Sequence, residues 1–227
     1  MSSPSADQPD TRQRLLTEAR RAFAAKGFAK ASTREICLAA EANIGLISYY
    51  FGDKAGLYRE VLVQPLAELM DSLPRPDVQE PLEQWLRGYY EAFLAPLVSD
   101  DAGLAELMRI YGREMSGEAT AAFDEACAQY IVPQHQALAT MLAVRVGAAE
   151  VDEQIHQLVF ALVALVYDYW MSAEHMQALA PGLLSGRGSY LRVLDRLVGY
   201  GLAMIEHERG LRAAEAKTKE SKGGTKR

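Results

Sequence analysis

Residues 42–58 read A-N-I-G-L-I-S-Y-Y-F-G-D-K-A-G-L-Y. The stretch opens on a small and polar segment, runs through three consecutive rings (Tyr49, Tyr50, Phe51) and breaks at Gly52-Asp53. A hydrophobic core accounts for one or two of those rings, but not for all three next to a tight turn and a lysine. Helical spacing predicts a short helix from Ile44 to about Tyr50, with Leu46 or Ile47 on its inner side. Upstream, Ser32 or Thr33 starts another short helix, with Glu35 in its first turn and Ile36, Ala39 and Ala40 facing inward. Glu41-Ala42-Asn43 is the turn between the two.

Two short helices joined by a turn of three or four residues form a helix-turn-helix, whose second helix suits the DNA major groove. A helix over 11–26, capped by Asp10 or Thr11, completes a three-helix unit. Leu15, Ala19, Ala22 and Phe23 recur on it at helical spacing. Gly27 ends it as the C′ residue and Phe28 closes over it. Ala39, Ala40, Ala42 and Gly45 are small where helices must cross closely. Downstream, Asp53 caps a long fourth helix from Lys54 to Asp71 or Ser72, with Pro65 inside it.

The chain has 227 residues, and half of them are hydrophobic, with Ala and Leu prominent. Helix is therefore the first expectation. Beyond the joint L-P-R-P-D-V-Q-E-P (73–81) the helical patterns lengthen to 80–97, 101–115, 118–143, 151–173 and 188–208. Strand alternation and a repeat of fixed period are both missing from the sequence. The last two patterns are apolar around most of their circumference and must be covered on several sides. They suit a four-helix bundle built from two chains, with Gly199 and Gly201 allowing close approach. The expected architecture is all-α: an N-terminal helix-turn-helix domain and a C-terminal bundle that dimerises through its last two long helices. Residues 1–9 read as a disordered arm, 10–60 as the DNA-binding domain, 61–210 as the effector-binding and dimerisation domain, and 211–227 as a disordered basic tail.

Charge is distributed unevenly. Residues 1–60 carry 9 Lys/Arg against 7 Asp/Glu, 61–210 carry 9 against 21, and 211–227 carry 6 against 2, for a net −6. Only the middle is acidic, and a locally basic N-terminal part suits a nucleic-acid-facing end. The longest apolar runs fall short of the about 18 residues a membrane span needs. The N-terminus lacks the charged region and apolar core of a secretory signal. Cys37 and Cys127 lie far apart and read as reduced thiols. A cytoplasmic protein without membrane contact is the expectation.

Three segments together carry a family resemblance: T-R-Q-R-L-L-T-E-A-R-R-A-F-A-A-K-G-F, A-S-T-R-E-I-C-L-A-A and I-S-Y-Y-F-G-D-K-A-G-L-Y. Over residues 11–60 the chain resembles the DNA-binding domain of the tetracycline-repressor (TetR) family. The Y-Y-F-G-D-K-A-G-L-Y segment and the later L-M-R-I-Y-G-R-E-M-S also resemble a CerR-like branch of it. The resemblance implies phosphate contacts from Thr33, Arg34, Tyr50 and Lys54. It places Asn43, Ile44, Gly45, Ser48 and Tyr49 on the exposed side of the recognition helix. Asn43 and Ser48 can bond base edges there, and Ile44 can meet a thymine methyl. Phe51 becomes the buried ring at the helix end. It also implies a homodimer on a palindromic double-stranded operator, repression, and release by an unknown small-molecule effector. The effector pocket would lie among helices 80–173, with Met108, Tyr111, Arg113, Tyr130, Tyr167 and Trp170 as lining candidates. Phe93, Met115, Phe123 and His135 stand beside them, although aromatic and Met residues at helical spacing are more often simply core. One departure is Glu41, where the family usually has a turn glycine. It bears on turn geometry and, through its charge, on DNA affinity.

An enzyme is the competing class. Di-iron bundles need two Glu-x-x-His pairs plus two further glutamates. Only Glu153-x-x-His156 is present, and His135, His175 and His207 do not rebuild the pattern. Both residues read as surface positions at a helix start. P-loop, Rossmann, Gly-x-Ser-x-Gly and paired-Cys zinc spacings are missing. The expectation is a non-enzymatic regulator with no cofactor and no metal. A constitutive DNA-binding protein without an effector is the remaining alternative.

Overall fold

The computed structural model describes residues 8–98, 102–117 and 119–223, and over these the regular elements are helical with no strand. The N-terminal run is α1 (Gln8–Lys30), α2 (Thr33–Ala39), α3 (Gly45–Phe51) and α4 (Lys54–Ser72). Then come α5 (Leu82–Leu94) with a 3-10 turn at Ala95–Val98, α6 (Ala102–Ser116), α7 (Ala121–Ala126), a π-helical turn at Cys127–Ile131, and α8 (Val132–Val146). The chain ends with α9 (Glu153–Met171), α10 (Ala173–Leu179) and α11 (Gly186–Gly223). No helix among the described residues is long and apolar enough to cross a membrane.

Several sequence expectations shift. Helix 1 extends three residues past Gly27, but Gly27 still breaks it, at φ 74. Gln8 and Pro9 already belong to α1, and the rest of the 1–9 arm lies outside the described residues. The single helix expected over 118–143 begins instead at Ala121, behind Thr120, whose side chain accepts from the Phe123 N–H. It is interrupted by the π turn just before Pro133. Proline has no N–H for the Gln129 carbonyl and its ring presses on that carbonyl, so a wider turn relieves the clash. The tail expected to be disordered from 211 is helical as far as Gly223. Ala, Glu and Lys are strong helix formers, and nothing in the segment stops the helix. Arg212 also anchors it, with paired bonds of 2.8 Å to both Asp152 oxygens and one of 2.7 Å to Glu208. These guanidinium bonds hold the Asp152 carboxyl down to about 2.

The chain forms two compact units. The first contains α1–α3, α4 as far as Asp71, α6, α7 and the π turn. Its core joins Leu15, Ala19 and Phe23 of α1, Ile36 of α2, Ile47 of α3 and Leu57 and Leu62 of α4 to Ile110 of α6. Helix α6 is tied to α1 at both ends. Arg20 meets Glu106 at 3.0 Å, and Arg113 Nη2 donates to the Ala25 carbonyl at 3.1 Å. Gly103 makes the first tie possible, since a Cβ there would come within 2.3 Å of the Arg20 guanidinium.

The second unit takes the rest of the chain. Trp85, Tyr89, Tyr90 and Phe93 of α5 form an aromatic spine. Leu138 and Leu142 of α8, Ile155, Leu162 and Val166 of α9, and Leu194, Val198 and Ile205 of α11 are buried around it. Of the two glycines expected to allow close helix approach, Gly201 does so: a Cβ would stand 2.9 Å from the Tyr90 hydroxyl. Gly199 faces open space.

Candidate nucleic-acid interface

The α2–α3 corner is built by a few buried side chains. Ile36, Cys37 and Ala40 anchor α2, and Ile47 alone of α3 is fully buried. Helix α2 ends in a paired cap: the Glu41 N–H donates to Leu38 O at 3.2 Å and the Ala42 N–H donates to Cys37 O at 2.9 Å. This pattern requires the residue after the cap to be left-handed, a position glycine usually fills. Glu41 fills it at φ 52, the one non-glycine positive φ among the described residues. Asn43 then starts α3, its Oδ1 accepting from the Gly45 N–H at 2.9 Å. Arg14 of α1 locks the corner by donating from Nε to the Ala40 carbonyl at 3.1 Å.

Ile47, with Leu46, Tyr50 and Phe51 partly buried beside it, forms the inner side of α3, and the opposite side is turned outward. Asn43, Ile44, Gly45, Ser48 and Tyr49 are all exposed, Ile44 at 51% and Tyr49 at 70%. The three rings form a chain from surface to core. Tyr49 meets Tyr50 edge-on at 4.9 Å, and Tyr50 lies 6.0 Å from Phe51. Phe51 is half-buried rather than buried, with the Arg12 guanidinium 5.3 Å from its ring centroid. Thr33 and Arg34 open α2, and Arg34 is exposed. Lys54 opens α4 with Nζ 4.8 Å above the Phe28 ring, donating to the Ala29 carbonyl at 3.3 Å. The structure thus places Gly45, Ser48, Tyr49 and Tyr50 on one short helix with Asn43 and Ile44 in the turn just before it, while Thr33, Arg34 and Lys54 begin the helices on either side.

Sequence reasoning missed Leu38, which is 80% exposed on α2 and has no core role. The three-residue spacing from Glu35, an exposed position, was the available signal. It also missed the internal duties of Arg12 and Arg14.

The lining candidates are divided. Met108, Tyr111, Arg113 and Tyr130 belong to the first unit, and Tyr167 and Trp170 to the second. Tyr111 is buried beside Phe123 and its hydroxyl donates to the Leu62 carbonyl at 2.7 Å. Trp170 is buried and its ring N–H donates to the Phe93 carbonyl at 2.6 Å. Arg113 is exposed and bonds the end of α1, as described. Met108, Tyr130 and Tyr167 are half-buried. Among the described residues no group of three or more His, Cys, Asp or Glu side chains could hold a metal ion. Both cysteines are free, and burial pushes both thiols up.

Residues 15–61 match the model of the bacterial regulatory proteins of the tetR family. Residues 82–198 match that of the C-terminal domain of the HTH-type transcriptional dual regulator CecR, which is more than half of the chain. The chain belongs to the TetR family. Its members are DNA-binding regulators and not enzymes. No curated protein sequence matches this TetR-family chain. Solved structures share its fold. A TetR-like regulator from Rhodococcus sp. RHA1 is 20% identical, with 89% of this chain and 99% of that one covered at a TM-score of 0.59. The flavonoid-responsive regulator FrrA is 20% identical over 87% of this chain and 95% of that one, also at 0.59. A proposed transcriptional regulator from Pseudomonas aeruginosa PAO1 is 20% identical over 89% and 92%, at 0.63.

Proposed function

We propose that this TetR-family regulator is a cytoplasmic, homodimeric repressor. Its two α3 helices would occupy the halves of a palindromic operator, and a small-molecule effector would release it. Residues 10–60 read the DNA, and 61–210 dimerise and sense the effector. The observation that carries the reading is the outward face of α3, where polar and apolar groups stand exposed together on a helix whose inner side packs on the core through Ile47, with Leu46, Tyr50 and Phe51 partly buried beside it.

On this reading Asn43 bonds a base through its NH2, because Oδ1 is committed to the Gly45 N–H. That donor suits a purine N7 or a carbonyl acceptor. Ile44 meets a thymine methyl, Gly45 lets the backbone approach, and Ser48 and Tyr49 complete the groove face. Thr33, Arg34, Tyr50 and Lys54 hold phosphates. Few of these groups are charged, so affinity rests on a small number of salt-sensitive phosphate contacts. The effector acts through its differential affinity for DNA-competent and DNA-incompetent forms.

The dimer reading is supported by an exposed line on α9. Glu153, Gln157, Phe160, Ala164, Asp168 and Met171 are exposed at spacings of three and four, and Phe160 is 65% exposed. A large ring on such a line is normally covered by a partner.

The test is binding of the purified protein to its own upstream intergenic DNA at two salt concentrations, beside the Tyr50→Phe/Lys54→Ala double variant. Tight, salt-sensitive binding that the variant loses by about tenfold or more supports the reading, since two phosphate contacts are removed in each half-site. Equal binding by both proteins defeats it.

A further inference from the structure

We propose that Glu114 is a positioning residue for DNA binding, coupling the α6–α7 corner to Lys54 at the start of α4. The inference rests on the DNA-binding reading given above.

Glu114 is 5% exposed and is the buried charged side chain of the first unit among the described residues. Its recorded partners there are neutral. The Tyr58 hydroxyl donates to Oε1 in a very close contact. The Thr120 N–H donates to Oε2 at 2.7 Å, and the Thr120 hydroxyl donates to Oε1 at 3.1 Å. A carboxylate buried without a counter-charge is a poor way to stabilise a core, and apolar residues of similar size do at least as well. Its presence therefore asks for a reason other than stability.

The contacts supply one. Burial, and after it the bond to Glu114, push the Tyr58 phenol well up, so Tyr58 remains the donor. The Tyr58 ring meets Phe23 edge-on at 4.8 Å and Phe28 at 4.9 Å. The Phe28 ring in turn seats the Lys54 ammonium at 4.8 Å. Thr120, Glu114, Tyr58, Phe28 and Lys54 form an unbroken run of hydrogen bonds and ring contacts inside one compact unit. Without Glu114 the Tyr58 hydroxyl loses its acceptor, and the ring packed against Phe28 is no longer pinned at its far end. Lys54 then loses the seat that sets its reach. Anything that draws Thr120 away from Glu114 acts on Lys54 by the same route.

The experiment begins by selecting random double-stranded DNA with the full-length wild-type protein. Failure to enrich any duplex defeats the DNA-binding reading itself. With an enriched duplex, affinity is measured across a salt series for wild type, Glu114→Ala, Tyr58→Phe, Lys54→Ala, and each of the first two combined with Lys54→Ala. The expected result is a loss of about fivefold or more in Glu114→Ala and Tyr58→Phe. Their salt slopes should be lower by about 1.8, the signature of two phosphate contacts, one in each half-site. Adding Lys54→Ala should cost nothing more. A core residue that only stabilises the fold would leave the slope alone. The proposal is overturned if the folded variants keep the wild-type slope, or if their losses multiply with that of Lys54→Ala. Should Glu114→Ala fail to fold, Tyr58→Phe, which deletes one oxygen atom, decides.

Discussion

Glu41 shows how much one residue can hold against its own preference. The α2 cap needs a left-handed residue, and the chain supplies one with a Cβ and a charge. Left-handed geometry costs a side-chain-bearing residue about 1 kcal/mol. Glu41→Gly should therefore raise stability by about 0.5–1 kcal/mol, or ~1–4 °C in Tm at this chain length. Calorimetry of the two proteins checks this, and a lower Tm in the variant would show that Glu41 makes a compensating contact. Tyr49, Tyr50 and Phe51 make the complementary point. Of three adjacent rings Tyr49 is exposed while Tyr50 and Phe51 pack partly buried on the core, because a helix turns about 100° per residue.

At the scale of elements, polar contacts between helices decide where each one starts, ends and leans. His135 of α8 and His156 of α9 are joined this way. Their rings stack at 14° with Nε2 of the first 2.9 Å from Nδ1 of the second, and Phe160 lies 4.8 Å from His135. Burial first, and His156 second, lower the His135 pKa below 6.5. The folded state therefore prefers neutral His135. Below pH 6.5 the unfolded chain takes up a proton that the fold resists, so this contribution is present above that pH and lost as pH falls toward the folded value. Urea midpoints at pH 8 and pH 5.5 should fall more steeply in wild type than in His135→Gln. Parallel curves would show that the pair carries no linkage. The helix boundaries were legible where the signals were local, as at Gly27 and Asp53. The π turn and the long α11 were not, since they depend on Pro133 meeting a particular carbonyl and on Arg212 reaching Asp152 across 60 positions of sequence.

For the whole molecule the decisive question is what covers α9. If two copies pair through it, Phe160→Arg puts two charges into the interface and breaks it, because unpaired buried charge is strongly unfavourable. Sedimentation should then show a monomer, and operator affinity should collapse, since a single half-site holds too few phosphates. A Phe160→Arg protein that sediments as wild type would remove α9 from the interface. The compact unit that carries α2 and α3 also holds α6 and α7, which are 50 and more residues away in sequence. The reading head is therefore larger than its three helices.

The sequence by itself determined the all-helical class, the three-helix N-terminal unit and the outward residues of α3. The first two follow from local spacing, small residues and turn chemistry, which operate within a few residues of one another, and the third from the family resemblance those residues carry. Only the tertiary structure decided that Glu114 is buried against Tyr58, that Arg12, Arg14 and Arg113 tie helices together, and that Tyr111 and Trp170 give their polar atoms to backbone carbonyls. Those outcomes depend on which distant atoms meet, and a carboxylate or guanidinium reads the same in sequence whether water or a buried hydroxyl satisfies it.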